Sequence, residues 1–186
     1  MGDIFRTIVD CDASSEEAPA LAQQVRKSLI AQRIIKEIPT SECVLGAPKG
    51  YPPGSRFALA LDQTEDPDGV FADNTLDLTT NGLEIVTERR FFWGGGEIFC
   101  PRCGKKPETW TGFQDASADW DNLGSGLLKC AACRHVESIT NWKYDPPAGY
   151  GNLGFTFWNW PPLSKLFVNG ISEFLGHRTV VVTGKL

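Results

Sequence analysis

The chain has 186 residues, 41% of them hydrophobic and 22% charged, with a net charge of −5. That is the composition of a soluble globular protein with one good core, or a core plus a small inserted module, and not of a disordered or membrane protein. No apolar run reaches the ~18 residues of a membrane-spanning helix, and the opening "MGDIFRTIVDCDASSEEA" has acids where a secretory signal has a basic and then an apolar stretch, so a cytoplasmic protein is expected, with no membrane partner.

In chain order, "IFRTIVDC" (4–11) is rich in β-branched residues and predicts a strand. Leu21, Ala22, Val25, Leu29 and Ile30 then recur at helical spacing, with Gln23, Gln24, Arg26 and Lys27 on the other side. Ser14 and Glu17 fit a capping box, but Pro19 places the helix start nearer Glu17, and Pro39 lies beyond its end. Residues 39–55 are loop by composition, "RFALAL" (56–61) is a short strand candidate, and "TEDPDGVFADN" (64–74) is a turn-rich loop. "TLDLTTNGLEIVTERRFFW" predicts a hairpin turning at Asn81-Gly82. Three glycines (94–96) and "YDPPAGYGNLG" (144–154) give free chain on either side of the cysteine-bearing segment.

Toward the end, "GFTFWNW" predicts a strand, and Pro161-Pro162 open a helix whose stripe is Leu163, Leu166, Phe167, Gly170, Ile171, Phe174 and Leu175, stopped by Gly176. "RTVVVTGKL" closes as a buried strand. Strand–helix–strand at both ends suggests an α+β fold, a split βαβ (ferredoxin-like) sandwich over residues 1–96 and 146–186, interrupted by a module at 97–145.

The module carries "CPRCG" and "CAAC". A Cys-x-x-Cys turn sets two thiolates on one side of a tight knuckle, and two knuckles complete a tetrahedral four-sulfur set that suits zinc. Twenty-six residues separate Cys103 from Cys130, more than the usual ~15–20, so a longer loop joins the knuckles. A thioredoxin-like redox motif, by contrast, comes once and opens a helix. The segment 98–142 resembles the zinc-ribbon family, in which two hairpins grip zinc through four cysteines. The resemblance implies Zn2+ held by Cys100, Cys103, Cys130 and Cys133, with His135 a surface or supporting residue. Cys11 and Cys43 read as inert thiols, without a Cys-His constellation around them.

Charge then bears on what the module serves. Residues 1–99 hold 16 acids and 9 bases, and the eight acids between Arg56 and Arg89 face no base at all. Residues 98–142 balance five acids against five bases, before a four-thiolate zinc adds about two negative charges. Phosphate binding needs several cations on one face, so nucleic acid is disfavoured as a partner. All six tryptophans fall between Trp93 and Trp160, and Trp110, Phe113 and Trp120 lie in the long loop among acids. They either pack or anchor a partner. Enzyme motifs are missing: no H-E-x-x-H, G-x-S-x-G, phosphate loop or dinucleotide fingerprint, and "DPDG" breaks off as a calcium loop at Val70.

The sequence therefore predicts a non-catalytic zinc protein that binds another protein, a basic one, through Asp66, Asp68, Asp73, Trp110, Asp119, Trp120 and Asp121. Its small, acidic, aromatic-rich character resembles bacterial immunity proteins that neutralise a toxin, a resemblance of character rather than of motif. The alternative is a zinc-ribbon nucleic-acid-binding or regulatory protein.

Overall fold

A computed structural model describes residues 3–42, 49–62, 81–107 and 110–186, without the side chains of Trp110 and Leu123. Its elements are β1 (Ile4–Asp10), α1 (Ala18–Ala31), β2 (Gly82–Val86), β3 (Arg90–Phe92), β4 (Glu97–Phe99), α2 (Trp110–Leu123), β5 (Leu127–Lys129), β6 (Val136–Ser138), β7 (Lys143–Asp145), β8 (Gly149–Gly151), β9 (Leu153–Trp158), α3 (Lys165–Leu175) and β10 (Thr179–Lys185). The fold is mixed α+β. None of the described helices is long and apolar enough to cross a membrane.

Four strands form one sheet in the order β10-β1-β9-β2, every neighbouring pair antiparallel. β1 and β2 therefore run parallel with β9 between them. Alternation decides the faces: Ile8 lies opposite Phe155 and Val181, and with Leu83, Leu153 and Phe157 turns toward the helices. Ala18, Ala22, Val25 and Leu29 of α1 and Ile171 and Leu175 of α3 meet them at helical spacing. Phe157 is fully buried with its ring edge-on to Trp160, 5.0 Å between centroids. Each such aromatic contributes about 1.5–3 kcal/mol by burial alone.

The opposite face buries Val9, Val86 and Val182 beneath Phe92 of β3. Backbone approaches this face so closely that side chains are excluded. A Cβ on Gly94 would stand 1.9 Å from the Thr183 carbonyl oxygen, and one on Gly154 2.5 Å from the Phe92 ring. Of the glycines at 94–96, Gly94 therefore seats the chain against β10, Gly96 packs against Asp145 and Pro146, and Gly95 alone stands in open space. β3 pairs with β8 and β4 with β7, so the cysteine segment leaves and returns as an antiparallel ribbon.

Several expectations need correcting. "RFALAL" is not a strand: Phe57–Ala60 is a 3-10 turn with Phe57 and Ala60 inward, in keeping with a segment that has no β-branched residue. Asn81-Gly82 is not a hairpin tip. Neither residue has positive φ, Gly82 is already paired with Trp158, and the proposed first arm lies outside the described residues. α3 begins after the prolines, capped by Ser164, whose Oγ accepts from the Phe167 N–H at 3.1 Å; Leu163 instead bridges to Leu61. β10 is an edge strand with only Val182 buried, because the order of strands leaves it one neighbour. α1 bears out both readings of its start. Ser14 and Glu17 exchange hydrogen bonds (Glu17 N–H to Ser14 Oγ, 3.2 Å; Ser14 N–H to Glu17 Oε2, 3.1 Å), and the regular helix begins one residue past Glu17 with Pro19 in its first turn.

Candidate metal centre

The two Cys-x-x-Cys segments fold into matching knuckles. In the first, the Gly104 N–H bonds the Cys100 carbonyl (2.9 Å) and the Cys100 N–H bonds the Lys105 carbonyl (2.8 Å). In the second, the Arg134 N–H bonds the Cys130 carbonyl and the Cys130 N–H bonds the His135 carbonyl, both at 2.8 Å. The residue after each second cysteine must turn left-handed. Gly104 does so at φ +69°, and Arg134 does so at φ +59°, where a side chain is strained. The sequence pattern marks the glycine and hides its counterpart.

All four sulfurs lie within 4.8 Å of one another. Cys100 Sγ is 3.8 Å from Cys133 Sγ, and Cys103 Sγ is 3.6 Å from Cys130 Sγ. A tetrahedron with Zn–S bonds of ~2.3 Å has edges of about 3.8 Å, whereas a disulfide would bring two sulfurs to about 2.05 Å. The donor set thus fits a zinc ion. Cys100 and Cys130 are buried, Cys133 is half-buried and Cys103 is exposed, as in a site reached from one side.

The chemistry of the thiols agrees. The Cys133 N–H, aided by hydrogen bonds from the other three thiols, pulls the Cys130 thiol down to about 7. At Cys103 the Lys105 N–H favours the thiolate, yet burial and the three neighbouring thiols hold its proton up to about 12. Of this touching pair, Cys130 gives up its proton readily while Cys103 keeps its own, as expected of neighbouring thiols until a cation collects the charge. His135 is not placed as a fifth donor: its Nε2 lies 3.7 Å from Glu137 Oε2.

The loop expected between the knuckles is largely helix α2, which accounts for the long spacing. Its apolar residues repeat at i, i+3 and i+7: Phe113, Ala116 and Trp120 are buried against Ile98, Leu128, Ile139, Trp142 and both inner cysteines. Trp120 is 8% exposed, its ring edge-on to Tyr150 at 5.0 Å, with the Arg89 guanidinium 5.6 Å from the ring centroid. It is a core residue and not a surface anchor. The same cluster draws in Phe91 and Trp93 from before residue 97 and Tyr150 from after 145, with the Tyr144 and Tyr150 hydroxyls 2.6 Å apart.

The other proposed contact residues divide. Asp119 and Asp121 are exposed on α2 beside Asp115, although partial burial raises the Asp121 carboxyl. Trp110 opens the same helix. Asp66, Asp68 and Asp73, like Cys43, lie outside the described residues. Cys11 is half-buried, and burial pushes its thiol up, which suits an inert role.

One pairing had no signal in the sequence. His177 Nδ1 lies 2.8 Å from Oδ2 of the fully buried Asp10, 167 residues away, while Asp10 Oδ1 accepts from the N–H groups of Asp12 and Ala13 at 3.0 Å. It fastens the end of β1 to the start of β10. Comparison of the chain with protein-family models, with curated proteins and with solved structures finds no match in any of the three.

Proposed function

We propose that this is a cytoplasmic, non-catalytic zinc protein that docks a basic protein partner through the acidic face of α2. The reading extends to an immunity role, in which that partner is a toxin. The core is read as a split βαβ, ferredoxin-like sandwich; its support is the antiparallel order β10-β1-β9-β2 with helices following β1 and β9.

One observation carries the functional reading. Phe113, Ala116 and Trp120 anchor α2 in the cysteine module, which leaves Asp115, Asp119 and Asp121 exposed on a helix that contains no base. Zinc supplies the fold energy of the module when bound, and the chain's own residues present the charge. Acids arranged this way accelerate encounter with a cationic surface more than they hold the complex. The test is affinity capture from the native host followed by kinetics with an Asp115→Asn/Asp119→Asn variant. The reading expects a basic protein to be retained, and the variant to lower its association rate at low salt while dissociation changes little. No retained protein, or an unchanged association rate, overturns it.

A second reading has its own observation. Arg102, Lys105, Lys106, Lys129 and Arg134 are exposed in or beside the two knuckles, with Lys106 paired to Glu97, so bases gather at the metal end and acids on α2. Salt-weakened binding of DNA or RNA, lost on changing Arg102, Lys105 and Lys106 together to Ala, would favour a nucleic-acid role.

A further inference from the structure

We infer that a cleft between α1 and the edge strand β2 is a binding site for a small oxyanion, a phosphate or carboxylate group. The cleft holds about 550 Å³ and is lined by Arg26, Lys49, Tyr51, Gln23 and Thr87 over an apolar floor that includes Ile85. No carboxylate is among its described lining residues.

Arg26 carries the inference. It is half-buried in the middle of α1, and its guanidinium lies 5.8 Å from the centroid of the Tyr51 ring. Nη1 donates to the Tyr51 hydroxyl at 2.9 Å, and Nε is buried with no hydrogen-bond partner among the described residues. Nor does any described acid pair with it. A half-buried guanidinium with no described counter-ion and one buried N–H unpaired is unfavourable, and its planar fork matches the two oxygens of a carboxylate or phosphate. Lys49 adds a second cation, while Gln23 and Thr87 supply neutral donors.

The walls are held in advance. Tyr51 exchanges both backbone hydrogen bonds with Leu83 of β2, each at 2.9 Å, and Gly50, next to Lys49, exchanges both with Thr40 at 2.8 Å. A site so fixed loses little freedom when an anion enters.

The experiment uses the full zinc-loaded chain, labelled with nitrogen-15, titrated with inorganic phosphate and separately with acetate at constant ionic strength. Saturable shifts confined to the Arg26 Nε–H and to the amides of Lys49 and Tyr51 are expected. Tighter phosphate assigns a phosphoryl ligand, and tighter acetate a carboxylate. Arg26→Gln should weaken binding on the order of tenfold, the scale of one lost charged hydrogen bond. Because that change also touches α1 packing, Lys49→Ala, at an exposed position, should weaken it as well, and Lys27→Ala, on the outer side of the same helix, should not. Shifts that never saturate, that spread over every surface cation, or that survive in both cleft variants overturn the assignment.

Discussion

The sheet with its two helices and the cysteine module are held together by different means. Among the described residues, the first buries eighteen in one apolar cluster that takes side chains from β1, β2, β9, α1 and α3. The second buries ten, two of them cysteines, and its strands β4 to β7 are three residues each. Strands that short do not stand alone, and a core that small does not offset the entropy of ordering fifty residues. The sheet can be stable by packing, whereas a module of this size calls for a further source of stability, which a metal held by its four clustered cysteines would supply. The two are nonetheless joined, since Phe92 and Gly94 at the root of the module lie on the valine face of the sheet.

Removing a ligand is the largest way to break this contrast. Cys103→Ser leaves three thiolates, and structural zinc supplies on the order of 10–16 kcal/mol in small zinc-binding peptides. The expected outcome is loss of the single zinc per chain by elemental analysis. Amide exchange should become fast in α2 and in β4 to β7 while Ile8, Phe155 and Phe157 stay protected. If the sheet amides lose protection together with the module, the two regions form one cooperative unit and the contrast is wrong.

Trp120→Ala is next. The ring fills the space between α2 and Tyr150, so its removal leaves a cavity and should cost about 3–5 kcal/mol in the module's unfolding. A surface anchor would behave oppositely, with stability kept and a partner's dissociation hastened. Thermal unfolding of the zinc-loaded variant separates these outcomes.

What could be read in advance follows the same division. The strands and helices of the larger core announce themselves through period: alternation in "IFRTIVD", a 3.6-residue stripe in α1 and α3. The four ligands are equally plain, because thiolate geometry dictates their spacing. α2 was missed because Phe113, Ala116 and Trp120 are only three apolar contacts in a stretch dense with Asp, Ser, Thr and Gly, whose local preferences favour loops. "RFALAL" misled in the other direction, since a five-residue apolar run fits a strand or a turn equally well. Asp10 with His177, and Arg26 with Tyr51, join residues that no local pattern connects.

A smaller effect probes the sheet alone. Asp10 holds the His177 proton through their hydrogen bond, and Asp12 and Glu17 add to the raised value of the imidazole. Folded His177 thus binds its proton more tightly than unfolded His177. The bond stabilises fully below the ordinary histidine value of about 6.5 and its contribution falls away as pH climbs through the raised folded value. The melting temperature should decline as pH rises above about 6.5, and Asp10→Asn should flatten that decline, although it lowers stability throughout by disturbing a buried acceptor. An unchanged slope in the variant would remove His177 from the account.

The smallest change compares the two knuckles with each other. Gly104 and Arg134 occupy equivalent left-handed positions, each donating its N–H to the first cysteine of its own knuckle. For arginine that conformation costs roughly 1–2 kcal/mol, and its exposed side chain makes no hydrogen bond or ion pair among the described residues that would repay the strain. Arg134→Gly relieves it, and the greater freedom of glycine in the unfolded chain returns about 0.5–1 kcal/mol of the gain. The net should be a stabilisation of somewhat less than about 1 kcal/mol, read as a higher urea midpoint of the zinc-loaded module. Gly104→Ala should move the midpoint the other way, although nothing lies within 4 Å of the added Cβ, because the penalty is conformational and not steric. Arg134 also sets a positive charge beside a four-thiolate site, so its loss removes some attraction that salt would screen. The two effects separate on adding salt: relief of backbone strain persists at high ionic strength, while a charge effect fades. A destabilisation by Arg134→Gly that vanishes in salt would mean that the arginine is kept for its charge, and would place the bases around the knuckles in the service of the metal site itself.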